Sequence, residues 1–565
     1  MHDITTSNLK KRYPEVDVAF VTEGTYPFVK GGVSAVIHQI VSRSPDLSFG
    51  VIAIGWDRHQ FREMQYERLP QLKWVYPIFL SPDERRKPWL RKAQGWLGKL
   101  RLLPKLTRDQ AEPSLEDALE FAQRGDFSLM IRLYRHYFCS PRPRAWNLLE
   151  RLESKDFMSM LMKRHSGVGI SFVDLFWIQR EFLSLAAVLA EHRFPTAKIY
   201  HSHTNGYAGM IGGLAAIQNH AEFMLSEHAL YLKSAIETIR SNSSCRRFDS
   251  TLVSNLEFNQ VRLQKIKGDA WENWFRAIGQ FTYQRARRVT YLYPEIAKEA
   301  EAYGLNPRRA VIVPNGVDLD RFQGVRDSQK QRHLQRTSPD HTWCFGFLGR
   351  IVPVKGLFDL IDAAAWLRRS ARIKFKFDLI GPMDEDPDYV RRCQRRIDEL
   401  GLADIVRFTG PQDVLSALKQ LDIVALSSLS EAQPVVVLEA MAAAIPMVAT
   451  DVGGVKSMLS GETGAGLLVP SRKPELMGEA LELLALDREL YASCTLHGPS
   501  RVERWYRGES VIKNYRAIYS ELGVVTELGT AKIPTTAVKP RTTGVHEARH
   551  DSRHDSRRRA DSAPL

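Results

Sequence analysis

Cysteine is scarce in this chain: five residues (Cys139, Cys245, Cys344, Cys393 and Cys494) stand far apart along 565 positions. An odd, dispersed set offers neither a disulfide framework nor thiols paired at metal-binding spacing. Long apolar runs are missing too, and without an uninterrupted stretch of about 18 such residues no membrane-crossing helix is expected. The opening Met1-His2-Asp3-Ile4-Thr5 lacks the charged-then-apolar signature of a secretory leader. These absences point to the cytoplasm. Acidic balance is also short: the net charge is +14 and the isoelectric point about 9.4. No zinc-finger, RNA-recognition or basic-zipper pattern accompanies that charge, which excludes nucleic acid and leaves anionic membranes or anionic small ligands.

What is present is an ordinary globular composition, 44% hydrophobic and 25% charged, in a chain too long for one core. The segment Val16-Asp17-Val18-Ala19-Phe20-Val21 reads as a strand. It runs through Thr22-Glu23-Gly24-Thr25-Tyr26-Pro27 to Lys30-Gly31-Gly32 and then into a helical pattern, Val33 to Val41. Val51 to Ile54 is a second strand. Strand, glycine loop, helix, strand opens a Rossmann-like α/β unit. Residues 60–165 show no clear alternation and are expected to form a mainly helical insertion. Strand patterns return at Lys198–His201, Glu222–His228, Arg288–Leu292 and Ala310–Pro314, with a long helix over about 255–288. A second α/β unit starts at Cys344 and repeats strand and helix through Phe375–Gly381, Val406–Gly410 and Ile423–Leu426. The expected fold is therefore α/β, with two Rossmann-like parallel-sheet domains facing a cleft. The domains are placed at 1–305 and 306–500, and a helical segment at 501–524 is expected to cross back to the first. Residues 525–565, with the repeat His550-Asp551-Ser552-Arg553-His554-Asp555-Ser556-Arg557, read as a disordered tail.

The richest stretch is Ser430-Glu431-Ala432-Gln433-Pro434-Val435-Val436-Val437-Leu438-Glu439, followed by Val452-Gly453-Gly454. Pro434 is placed to start a helix. That puts Glu431 in the preceding loop and Glu439 about one and a half turns inside, near free N–H groups that suit a phosphate. One carboxylate at the mouth and one on the wall suit a ligand with two hydroxyl-bearing parts, such as a nucleotide sugar. Arg350 and Lys355 follow a strand at its carboxyl end, where α/β ligands bind. Arginine supplies bidentate phosphate bonds and lysine a point charge. Gly31 and Gly32 permit close backbone approach, with Lys30 beside them as a further phosphate contact. Residues 85–108 carry nine Lys/Arg and no acid, with Trp89, Trp96, Leu100 and Leu103 at near-helical spacing. Two readings stay open there: an apolar stripe packed on the first domain, or a contact with anionic lipid or a membrane-embedded export partner.

These motifs resemble retaining GT-B glycosyltransferases of glycosyltransferase family 4, and more narrowly the PelF-like branch that serves bacterial Pel exopolysaccharide synthesis. The likeness rests on Thr22–Ser34, Gly206-Tyr207-Ala208-Gly209, Ser226–Tyr231, Val313–Asp318, Leu348–Gly356, Gly381–Pro387 and the Glu431–Gly454 block. It implies a role for each matched residue. Arg350 and Lys355 would hold the donor diphosphate and Glu439 the ribose. Glu431 would touch the transferred sugar as a catalytic group, and Gly31 and Gly32 would approach the phosphates. His228 would lie near the donor sugar and act in catalysis, with Gln433 and Lys30 binding substrate. It also implies a UDP-sugar donor, a growing saccharide as acceptor and no metal or other cofactor. A lipid-linked sugar, a glucan primer and a non-catalytic nucleotide-sugar-binding subunit are the alternatives. The chain departs from the family at Ala444, where glycine is usual. A left-handed conformation there costs alanine about 1 kcal/mol relative to glycine. A second departure is the segment His201–Gly206, whose His201 and His203 read as structural or, alternatively, as lining the acceptor cleft.

Overall fold

A computed structural model describes residues 12–80, 192–244 and 255–524, apart from a few isolated positions within them. The basic segment 85–108, most of the 60–165 insertion and the 525–565 tail lie outside the described residues.

Seven parallel strands form the first sheet: β1 (Val16–Glu23), β2 (Phe49–Gly55), β3 (Leu72–Phe79), β4 (Ala197–Ser202), β5 (Glu222–Glu227), β6 (Arg288–Tyr291) and β7 (Ala310–Ile312). Their spatial order is β3-β2-β1-β4-β5-β6-β7. Central strands are covered on both faces, so β1 and β2 read as near-continuous apolar runs rather than alternating ones. Helix α1 (Gly32–Ser42) follows β1, and helix α2 (Tyr207–Asn219) follows β4. One face of the sheet packs its β1, β4 and β5 side chains against α2 and the 31-residue helix α3 (Asn255–Arg285).

The second sheet has six parallel strands: β8 (Thr342–Leu348), β9 (Lys374–Ile380), β10 (Val406–Gly410), β11 (Ile423–Leu426), β12 (Met447–Thr450) and β13 (Gly466–Val469). Their order is β10-β9-β8-β11-β12-β13, a doubly wound arrangement whose switch point lies between β8 and β11. Helix α4 (Leu357–Ser370) follows β8 and helix α5 (Val435–Ala442) follows β11. Helix α6 (Gly508–Glu521), at the end of the described chain, leaves this domain. Its Val511, Ile512, Tyr515, Ile518 and Tyr519 pack into the core that holds Val18, Phe20 and Val51 of the first sheet. Arg516 fixes it there with a bidentate ion pair to Asp46, at 2.5 and 2.6 Å.

The structure corrects three sequence readings. The expected helical insertion does not begin at 60, because Leu72–Phe79 is strand β3, its Leu72, Trp74, Tyr76 and Ile78 turned inward. Lys73 fits that alternation on the outward side, but Pro77 argues against a strand. It is tolerated because β3 is an edge strand, where a residue without an N–H loses nothing. The boundary at 305/306 falls too early, since β7 pairs with β6 and belongs to the first sheet. The opposite edge of the second sheet, β13, is a strand that the pattern reading did not anticipate.

Candidate active site

In the second domain the loops after β8 and β11 meet. After β8 the chain passes Arg350, makes one tight turn over Pro353–Lys355, and reverses at Gly356, whose φ is +64°. A Cβ at Gly356 would stand 2.1 Å from the carbonyl oxygen of Ser427, so the close approach of the two loops depends on glycine. Ser427 Oγ donates to the Lys355 carbonyl at 2.9 Å, and Leu429 N–H to the Val354 carbonyl at 2.8 Å. These backbone ties bring Lys355 Nζ to Glu431 Oε1 at 2.5 Å, and Ser428 Oγ donates to the same oxygen at 2.7 Å. Both side chains of that pair are largely buried, 17% and 11% exposed. The glycine pair after β12 supports the Glu431 loop from beneath. Gly453, with φ +54°, faces the Glu431 carbonyl so closely that a Cβ would lie 1.7 Å away, and Gly454 N–H donates to the Ala432 carbonyl at 2.7 Å.

Pro434 stands just before the first turn of α5, with Glu439 on the fifth residue of that helix. Burial raises the Glu439 carboxyl above the ordinary range, opposed by the Arg321 charge. Arg350 is turned outward, paired with Glu385 at 2.6 Å, and both side chains are half exposed. Gln433 is buried and serves the segment between the domains: its Oε1 accepts from Asn315 N–H at 2.6 Å and its carbonyl from Asn315 Nδ2 at 2.9 Å. The five residues expected here are thus assembled in part. Lys355 meets Glu431, while Arg350 and Gln433 each have a partner elsewhere.

The first domain presents a different chemistry at the carboxyl ends of its strands. Lys30, Gly31 and Gly32 are exposed where α1 begins. Gly31 has φ 178°, a value open to any residue, and a Cβ at Gly31 or Gly32 would meet no atom within 4 Å. Among the described residues nothing requires glycine at either position. His228, just after β5, is half-buried and its Nε2 lies 2.9 Å from His203 Nδ1. His201, on β4, is fully buried and bonded through both nitrogens, to Tyr519 Oη of α6 at 2.8 Å and to Ser226 Oγ of β5 at 2.7 Å. Burial holds the His201 imidazole down at about 3 and His228 at about 4. Among the described residues no hydrogen bond or ion pair joins this set directly to Glu431 or Lys355. The domains do touch nearby, where the Tyr293 ring after β6 packs on Gly454.

Two acids escaped the motif reading although both lie inside quoted motifs. Glu23 ends β1, where burial pushes its carboxyl up to about 7 against hydrogen bonds from the Ala208 and Tyr207 N–H groups. It acts as a remote cap for α2, whose own first position, Gly206, supplies no side chain. Glu227 ends β5, 2% exposed, and accepts from Tyr283 Oη at 2.5 Å; burial pushes it also to about 7. The signal available was position alone: an acid closing an otherwise apolar strand in a parallel sheet lies at the ligand-binding edge.

Known proteins share this fold. The model of the family described as "Domain of unknown function (DUF3492)" matches residues 16–308, more than half of the chain, and that of "Glycosyl transferases group 1" matches residues 328–501. D-inositol 3-phosphate glycosyltransferases are among the relatives. That of Corynebacterium urealyticum is 28% identical over 42% of this chain and 57% of its own. That of Jonesia denitrificans is 30% identical over 47% and 65%. The chain therefore spans under two thirds of these relatives' length. Among solved structures, Anabaena Alr3699/HepE in complex with UDP has a TM-score of 0.52 at 14% identity, covering 89% of this chain and 100% of its own. Sucrose-phosphate synthase from Thermosynechococcus elongatus has 0.54 at 15%, covering 90% and 98%. At such identities the likeness speaks to fold, and the fold is GT-B. The chain belongs to the family of the domain of unknown function DUF3492, and its second domain is similar to the glycosyl transferases group 1.

Proposed function

We propose that this protein is a retaining glycosyltransferase that moves a hexose or N-acetylhexosamine from a UDP-sugar to a growing saccharide, in Pel-like exopolysaccharide synthesis. The observation that carries this reading is the buried Lys355–Glu431 pair, held by glycine-dependent loop contacts at the carboxyl ends of β8 and β11. A cation and a carboxylate fixed together, beside a second carboxyl at Glu439, suit a ligand with an anionic diphosphate and hydroxyl-bearing rings on either side. Lys355, with Arg350 released from Glu385, takes the charge that develops on the departing diphosphate. Glu431 lies against the transferred sugar and supports the oxocarbenium-like transition state. Attack from the face the diphosphate leaves preserves the anomeric configuration, and the leaving phosphate oxygen takes the acceptor proton. The open Gly31-Gly32 turn admits the phosphates from the first domain, and closure of the domains excludes water. Support for a UDP-sugar donor comes from the group 1 family match and from the UDP-bound HepE neighbour. On this reading the protein works at the cytoplasmic side, where a membrane export complex contacting segment 85–108 would receive the product.

The test is mass spectrometry of products from a panel of UDP-sugars with short oligosaccharide acceptors, and with inositol 3-phosphate as the acceptor that the relatives' name suggests. Transfer to an oligosaccharide with retention is expected. Transfer to inositol phosphate alone would replace the acceptor assignment. Tight UDP binding without transfer or donor hydrolysis would make the chain a nucleotide-sugar-binding subunit instead.

A further inference from the structure

Three imidazoles stack from the core of the first domain toward its site. His201 is 0% and His203 2% exposed, and His228 is the outermost ring. The ring centres are 4.3 Å apart for His201 and His203, and 5.2 Å apart with an interplanar angle of 14° for His203 and His228. His201 is fixed by its bonds to Tyr519 and Ser226, and Phe20 packs against both inner rings at 5.4 and 5.6 Å. His203 therefore has little freedom to turn.

The 2.9 Å contact between His203 Nδ1 and His228 Nε2 needs one hydrogen between the two nitrogens. If His228 supplied it, the single proton of a neutral His203 would sit on Nε2. That nitrogen is buried and, among the described residues, has no partner. A buried N–H without an acceptor is the rarer and costlier fault, whereas a bare ring nitrogen leaves only a lone pair unused. A doubly protonated His203 is excluded by its setting: burial and the adjacent imidazoles His201 and His228 hold it well below the ordinary histidine range.

We infer that His203 is a positioning residue that donates from Nδ1 to His228 Nε2, fixing His228 as a neutral imidazole with its proton on Nδ1. In that tautomer His228 offers the site a hydrogen-bond donor. Its Nε2 lone pair is already engaged, so it does not serve as a general base there. The consequence for sugar binding rests on the transferase reading above: His228 would donate to a hydroxyl oxygen of the sugar, preorganised before the substrate arrives.

Two measurements test this. Nitrogen-15 spectra of histidine-labelled full-length protein, assigned with the His203→Asn and His228→Asn variants, report the tautomers without any substrate. A proton on Nδ1 of both His203 and His228 is expected, and a proton on Nε2 of His228 overturns the inference. In transfer assays, His203→Leu removes the donor and is expected to lower kcat by about 10- to 100-fold, the scale seen when the partner behind a ligating imidazole is lost. The donor KM should move less than about threefold, because misorientation of the His228 donor is felt mainly in the transition state. His203→Asn keeps an N–H near the Nδ1 position and should restore kcat to within about threefold of the parent. An asparagine variant that is folded yet no better than leucine, or a fully active leucine variant, overturns it. Should no UDP-sugar be turned over, the spectra still decide the tautomer, so failure of the transferase reading and failure of this inference are told apart.

Discussion

The two domains build their halves of the site from opposite materials. In the second domain the site is charged and lies in loops. Lys355 and Glu431 neutralise one another, Arg350 leans on Glu385, and glycines let the loops approach. In the first domain the site is largely neutral and lies at strand ends. Imidazoles are held uncharged, and Glu23 and Glu227 are pushed up to about 7 by burial. The difference matches the work proposed for each. A diphosphate brings charge and asks for mobile cations, whereas sugar hydroxyls ask for fixed, uncharged donors and acceptors. Loops can repack around a charge as it leaves; a stack of rings keyed into a sheet cannot.

The sharpest way to break this comparison is Glu431→Gln. If the charged wall carries the chemistry, kcat should fall by about 100-fold or more, the scale for losing one preorganised electrostatic group. UDP affinity should hold or tighten, since Lys355 loses a competing carboxylate. Calorimetry with UDP alongside transfer kinetics checks both, and near-normal turnover would remove Glu431 from its role.

The neutral wall makes a separate prediction in pH. Glu227 titrates at about 7 in the folded chain against an ordinary 4.5, because burial disfavours its charge. Its contribution to stability is fully present below 4.5 and is lost as pH rises through about 7, when the buried carboxyl must ionise. Glu227→Gln removes that loss. The stability difference between variant and parent should therefore grow in the variant's favour between pH 4.5 and 7 and level off above, by about 3 kcal/mol. Urea titrations across this range measure it, and a difference independent of pH would show that Glu227 is already charged in the fold.

Much of this architecture was legible in the sequence, unevenly and for physical reasons. Strands covered on both faces, such as β1, β2, β8 and β11, announce themselves as unbroken apolar runs. The edge strands β3 and β13 do not, because Pro77 interrupts one, and the other opens on Gly466 with only Val469 fully buried. Lys355, Glu431 and Glu439 stood out because charge in a loop between apolar segments has few other reasons to be there. His203, Glu23 and Glu227 did not, because a polar residue closing a buried strand looks like any strand end until its neighbours are known. Partners distant in sequence hid the rest: Tyr519 reaches His201 across 318 residues, and Asn315 holds Gln433 from 118 residues away.

Arg350 sharpens the comparison on the charged side. Its pair with Glu385 is half exposed, and such pairs contribute about 0–1 kcal/mol. The guanidinium is therefore cheaply released to a phosphate, where a charge-assisted bond is worth about 1.5–3 kcal/mol. Arg350→Ala should weaken UDP binding by about tenfold or more, while Glu385→Gln should change it by less than about threefold. Equal affinities for parent and Arg350→Ala would leave the diphosphate to Lys355 alone.

The smallest expected effect concerns Ala444, which closes the helix carrying Glu439 with φ 60°. Ala444 N–H donates to the Met441 carbonyl and Ile445 N–H to the Ala440 carbonyl, a helix-ending pattern that favours glycine. Alanine in the left-handed region costs about 1 kcal/mol, less what glycine gives back in unfolded-chain entropy. Ala444→Gly should therefore raise stability by at most about half a kcal/mol, read as a rise in urea midpoint at constant slope. Turnover decides what that strain is for. If kcat stays unchanged, Ala444 is a tolerated departure beneath the charged wall. If kcat falls while stability rises, the strained turn is helping to aim Glu439, and the flexibility assigned to the loops of this domain extends into its helix.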